Sequence, residues 1–182
     1  LDNQGRIDAA YKAIAVTPSA VAGAAPWEGG FTLRNSGQIT QTTATDLIDL
    51  SGKAGLNTVY NSGTLQALPD ALGVAGVAYR GGTGTDNLEL AAGLVAGSLL
   101  LGAGNDSLDA VGGAIQGSVD MGDDDDLAML RTGFDASQLL RMDGGAGQDS
   151  LRIQARDQLA YSAAMDSTAQ GINLLQWENI HL

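Results

Sequence analysis

The chain contains no cysteine. Disulfides and thiolate metal sites are thereby excluded, so packing and backbone hydrogen bonds must hold the fold together. Proline is scarce, at 3 residues in 182, and aromatic side chains make up 4% of the chain. A core so poor in rings must be narrow and built from Leu, Val, Ile and Ala. There is one histidine, His181, and no G-x-S-x-G elbow, so an inserted serine protease has no place in these residues. Nine Lys and Arg against 21 Asp and Glu give a formal net charge of −12. That balance opposes nucleic acid and anionic membrane as partners, because both need a basic patch. The most apolar stretch, residues 90–104, is too short and glycine-rich for a transmembrane segment, which needs about 20 apolar residues. The chain opens at Leu1 with no charged region leading into an apolar run, as expected of an excised or processed piece of a longer protein.

What is abundant is glycine, at 26 residues, and acid concentrated in one region. Between Arg80 and Arg131 no Lys or Arg occurs, while nine Asp and Glu do, which suggests cations rather than anions as company. Internal repetition explains both. The segments GGTGTDNLEL at 81–90, LGAGNDSLDA at 101–110, MGDDDDLAML at 121–130 and GGAGQDSLRI at 144–153 align on Asp86, Asp106, Asp126 and Asp149. A weaker repeat, LRNSGQI at 33–39 and VYNSGTL at 59–65, places Asn-Ser-Gly at a corner between apolar residues.

Within each repeat the apolar residues alternate, as in strands with one buried face. Tyr79, Leu99, Val119 and Met142 form one inward column, and Leu88, Leu108, Ala128 and Leu151 another. Leu90, Ala110, Leu130 and Ile153 form a third. Arg80, Leu100, Asp120 and Asp143 are expected to face outward. A further short strand is expected at Leu94–Val95 and Ala114–Ile115. Strand, tight turn, strand, repeated about every 20 residues, reads as an all-β, right-handed parallel β-helix with three short sheets. Residues 1–30 are expected as an irregular lead-in or cap and 31–182 as a single β-helix domain. Its regular coils are 76–153, with an end coil or cap at 154–182 in which 155–165 forms a short helix or irregular coil. The three extra residues before Asp149 are expected as a loop within 132–138. Trp27 and Trp177 are expected to cover the ends.

The G-x-G-x-D turns resemble the calcium-binding nonapeptide of RTX proteins, although here one corner per coil carries the motif instead of two. The longer coil, the N-S-G motifs and the closing QWENIHL are similar to autotransporter passenger domains and related bacterial surface adhesins. The passenger resemblance implies a secreted or cell-surface stalk or binding scaffold. It further implies a host or cell-surface receptor, protein or glycan, further passenger coils and an outer-membrane C-terminal β-barrel elsewhere in the full-length protein. The RTX resemblance implies a calcium-binding secretion or folding module. Its ligands would be Gly82, Gly84 and Asp86, then Gly102, Gly104 and Asp106, then Asp124 and Asp126, then Gly145, Gly147 and Asp149.

Stacked at about 4.8 Å, the four aspartates would repel one another by about 3 kcal/mol per neighbouring pair at an effective dielectric of 20. Calcium would relieve this, being a hard ion that accepts carboxylates and carbonyls. Alternatively each aspartate caps its own turn and faces screened solvent. A carbohydrate-active β-helix is a third reading, with Asp120, Asp123–Asp126, Asp143 and Arg131 or Arg141 as its cluster. Outward acids on a solenoid need no catalytic role, so the expectation is that the chain is not an enzyme.

Overall fold

A computed structural model describes residues 1–17, 24–154 and 173–181. The described strands pair only in parallel, each with the strand one coil before and one coil after it, as a β-helix requires. Three faces recur along the described coils. The first runs through Asp2–Asn3, Phe31–Asn35, Asn57–Asn61, Asp86–Leu90, the starts of Ser107–Asp123 and Leu127–Asp135, Ser150–Ile153 and Asn179–His181. The second runs through Arg6–Ala9, Gln38–Gln41, Thr64–Gln66, Leu94–Ala96 and the middle of Ser107–Asp123. The third comprises Ile14–Ala15, Ile48–Asp49, Val77–Arg80, Ser98–Leu100, the end of Ser107–Asp123, Leu139–Ala146 and Asn173–Leu175.

The expected columns are in register. Leu88 stands on Leu108, Ala128 and Leu151 in turn, and Tyr79 on Leu99, Val119 and Met142. The inward residues of all three faces merge into one buried core. Each Leu, Ile or Val so buried contributes about 1.5–3 kcal/mol, so stability grows coil by coil.

Down the first face, partners are 32, 26, 29, 20, 20, 23 and 29 residues apart. The 20-residue spacing therefore belongs to the centre. The N-terminal coils are longer because loops stand at their corners, among them 42–47 and 67–76 between the second and third faces.

Residues 1–30 differ from the expectation. Asp2–Asn3, Arg6–Ala9 and Ile14–Ala15 form a first rung, paired with Arg34–Asn35, Gln38–Gln41 and Ile48–Asp49. Its turn, Asn3-Gln4-Gly5, is the Asn-Ser-Gly corner with Gln in place of Ser, which leaves the geometry intact. The asparagines stack inside: Asn3 Nδ2 donates to Asn35 Oδ1 and Asn35 Nδ2 to Asn61 Oδ1, both at 2.7 Å.

The three extra residues do not form one loop. Ala110 faces Leu130, Gly112 faces Gly133, Gly117 faces Leu139 and Ser118 faces Arg141, so the ladder absorbs them one at a time. Phe134 is thereby buried, while Leu140 bulges into solvent. Asp143 also differs: it is buried and paired with Arg141, because an isolated carboxylate at that packed position would lack any countercharge. Trp177 is half-buried against the core and its indole N–H donates to the Met142 carbonyl at 3.2 Å, as an end cover would. Trp27 is 65% exposed on a corner loop and covers no end. Residues 155–165, expected as helix or irregular coil, lie outside the described residues.

At the corner between the third and first faces, Gly82, Gly102, Gly122 and Gly145 stack. Gly122 has φ +112°, and a Cβ there would overlap the Gly102 carbonyl. Gly122→Ala should therefore cost at least about 2 kcal/mol, measurable by urea denaturation.

Candidate functional site

The same corner carries the aspartates. Asp86 opens the five-residue strand Asp86–Leu90, in which Asp86, Leu88 and Leu90 have one parity and Asn87 and Glu89 the other, so the carboxyl enters on the leucine side. All four ladder aspartates are buried: Asp86 and Asp149 are 0% exposed, Asp106 2% and Asp126 3%. They neither face water nor cap their own turns. Each reaches one coil back: Asp106 Oδ1 accepts the Asp86 backbone N–H at 2.8 Å, Asp126 Oδ1 that of Asp106 at 2.7 Å, and Asp149 Oδ1 that of Asp126 at 2.9 Å. Asn57 Nδ2 starts the column by donating to Asp86 Oδ1, and Glu178 Oε2 ends it by accepting the Asp149 N–H at 2.7 Å.

The second oxygen of each group is different. Oδ2 of Asp86, Asp106, Asp126 and Asp149 is buried without a hydrogen-bond partner, as are the Tyr79 hydroxyl and Asn57 Oδ1 nearby. A Cβ on Gly81 would overlap both Asp86 Oδ2 and the Leu101 carbonyl oxygen, so these two acceptors approach the same point from adjacent coils. Around Gly144 the neighbours are Asp149 Oδ2 and the Gln176 carbonyl. Two acceptors that converge in a buried space require a proton or a cation between them.

The electrostatics favour the proton when no metal is supplied. Burial pushes Asp86 up to about 6, against the pull of Asn57, then of the nearby Tyr79 hydroxyl, and least of the Lys53 charge. Asp126 rises to about 7, through burial and then the charges of Asp149, Asp124 and Asp125. Asp106 lies between two other ladder carboxyls and rises to about 9, through burial and then the charges of Asp86, Asp126 and Asp124. Burial also raises Asp149.

Of the residues nominated as calcium ligands, Asp86, Asp106, Asp126 and Asp149 form the buried carboxyl column. Asp124 is exposed, in a left-handed conformation with φ 77°, and its Oδ2 accepts the Gly104 N–H at 3.1 Å. The Gly82 and Gly102 carbonyls already accept Ala103 and Asp123 N–H groups from the next coil at 2.9 and 2.8 Å. Gly84 and Gly147 pack against the backbone of the neighbouring coil, and Gly145 against that of Gly122. At Asp86 and Asp149 the donor set open to a cation is thus one carboxyl oxygen and a carbonyl from the next coil. These are hard oxygen donors of the kind calcium accepts, although no three carboxylates converge among the described residues.

Sequence reading missed Lys53. It is 1% exposed beneath the corner, one coil before the turn of Asp86, with nothing in its neighbours to distinguish it from a solvated lysine. The alternation that turns Asp86 inward was present in the sequence.

The residues of the carbohydrate-active reading divide between two faces and the corner. Arg131 forms a bidentate pair with Asp109 of the first face, at 2.6 and 2.7 Å, while Arg141 pairs with Asp143 on the third. Asp120 stands beside Asp143 in register, and Asp123–Asp125 are exposed on the corner. Comparison with family models, with curated proteins and with solved structures finds no match to this chain.

Proposed function

We propose that the chain is a β-helical scaffold of a secreted or cell-surface bacterial protein, acting as stalk or binding surface without turnover. The observation that carries this reading is the parallel ladder running from Asp2–Asn3 to Asn179–His181, with charge and polar groups outside and its polar column sealed within. A rod of this kind gains reach with each coil and needs no cavity. The resemblance of the repeat to passenger domains supports the surface location. Its partner is a receptor, protein or glycan, met by an acidic outer surface.

The test is antibody labelling of intact source cells with serum raised against residues 31–182. Labelling before permeabilisation is expected; labelling only afterwards would overturn the surface reading. Calcium belongs to the same proposal, as the ion that replaces protons at Asp86, Asp106, Asp126 and Asp149. Millimolar calcium added to chelated protein at alkaline pH is expected to raise its melting temperature. An unchanged melting temperature and circular dichroism spectrum would remove calcium from the account and leave the scaffold standing.

A further inference from the structure

We propose that the corner between the third and first faces is a docking surface for an extended, basic segment of a partner protein, anchored on Trp27. The Trp27 side chain is exposed, yet its backbone is fixed to the next coil: its N–H donates to the Gly52 carbonyl at 2.8 Å and its carbonyl accepts the Ala54 N–H at 3.0 Å. The indole Nε1 edge lies against the point where a Cβ on Gly29 would stand, so the glycine gives the ring its seat. Leu56, one coil further on, is 51% exposed on the same corner. An exposed tryptophan on a fixed backbone, beside an aliphatic side chain, loses little freedom when a partner covers it, and tryptophan is enriched among interface anchors.

Charge identifies the occupant. The corner stacks from Trp27 through Lys53, Gly82 and Gly102 to Gly122, four steps of about 4.8 Å or about 19 Å in all. About six residues of extended chain span that length. The floor between is bare: Gly84 and Gly104 pack on the coil before them, and Thr83 and Ala103 have short side chains. Glu28 stands exposed at the tryptophan end, and Asp123, Asp124 and Asp125 at the other. Among the described residues none of these four carboxylates forms an ion pair, and Lys53, at the same corner, is buried. Exposed acids alone would be a solvated face; the anchored tryptophan marks this one for a partner. Arginine suits both ends, because a guanidinium stacks on an indole and pairs with carboxylates. A second copy of the chain, at net charge −12, would be repelled. The inference rests on the reading of the chain as a binding surface and names the chemistry of its partner.

Fluorescence anisotropy of a labelled hexa-arginine peptide, titrated with the whole chain at low salt, tests it. Trp27→Ala is expected to weaken binding about tenfold, and Asp123→Asn combined with Asp125→Asn at least about threefold. Glu89→Gln combined with Asp120→Asn removes the same charge from the first and third faces, and should leave the affinity within about twofold of the wild type. The corner substitutions are at exposed positions, and an unchanged circular dichroism spectrum establishes that each variant is folded. If Trp27→Ala binds like the wild type, or the control pair loses as much as the corner pair, net charge alone holds the peptide and the proposal is overturned. Quenching of tryptophan fluorescence by neutral maltohexaose, with no binding of hexa-arginine, would overturn it in favour of a glycan. Because the purified chain is titrated, the result is separate from whether intact cells display it.

Discussion

Raising the pH from about 5 to about 9 in the presence of a chelator is expected to lower the melting temperature by about 10 °C or more. The sign follows from the direction of the shifts. Asp86, Asp126 and Asp106 titrate at about 6, about 7 and about 9 in the folded chain, against an ordinary value of 3.8. Above that ordinary value the folded state holds more protons than the unfolded one, so stability is fully present below about pH 4 and falls as pH rises through each folded value. The shift of Asp86 alone corresponds to about 3 kcal/mol. Most acidic proteins behave in the opposite way, gaining stability as their paired carboxylates ionise. Here a chain of net charge −12 should be most stable in mild acid, for local reasons.

The second large effect separates the two oxygens of one carboxyl. Asp106→Ala removes the acceptor of the Asp86 N–H, orphaning a buried donor and opening a small void, at a cost of about 3 kcal/mol at pH ~6. Asp106→Asn retains that acceptor and places an amide donor where Oδ2 lies, which is what the protonated acid supplies. It is expected to fold with wild-type stability or better at pH ~9, and to flatten the pH dependence. The molecule already contains this arrangement, since Asn3, Asn35 and Asn61 stack through their side-chain amides. Thermal melts of both variants across pH provide the check. Equal losses for Asn and Ala would mean that Oδ2 needs an ionised carboxylate, as a resident cation would require.

Much of this architecture was legible in the residues. The alignment of Asp86, Asp106, Asp126 and Asp149 carried the register, because each is followed by inward residues two and four places on. The same parity placed the aspartates inside. The opposite expectation of water-facing caps came from the usual behaviour of carboxylates, which this corner reverses by giving Asp106, Asp126 and Asp149 a backbone N–H on the neighbouring coil and Asp86 the Asn57 side-chain amide. The first coil was obscured by one substitution, Gln4 for Ser, and by strands of two to four residues that show little alternation. Asp143 stood in an outward column by parity, yet it is buried and paired with Arg141, two residues before it on the same strand. Lys53 was invisible because its burial exists only once Gly29 and Gly82, from the coils before and after, are stacked against it.

The most direct measurement is carbon-13 NMR of the aspartate carboxyl groups, titrated in metal-free protein and assigned through Asp106→Asn. Buried protonated carboxyls would appear as resonances titrating well above pH 5, with the one lost in Asp106→Asn at the alkaline end of the set. If the resonance lost in Asp106→Asn belongs instead to a group already ionised near pH ~4, the column holds carboxylates, and the account of a proton-bearing corner is wrong.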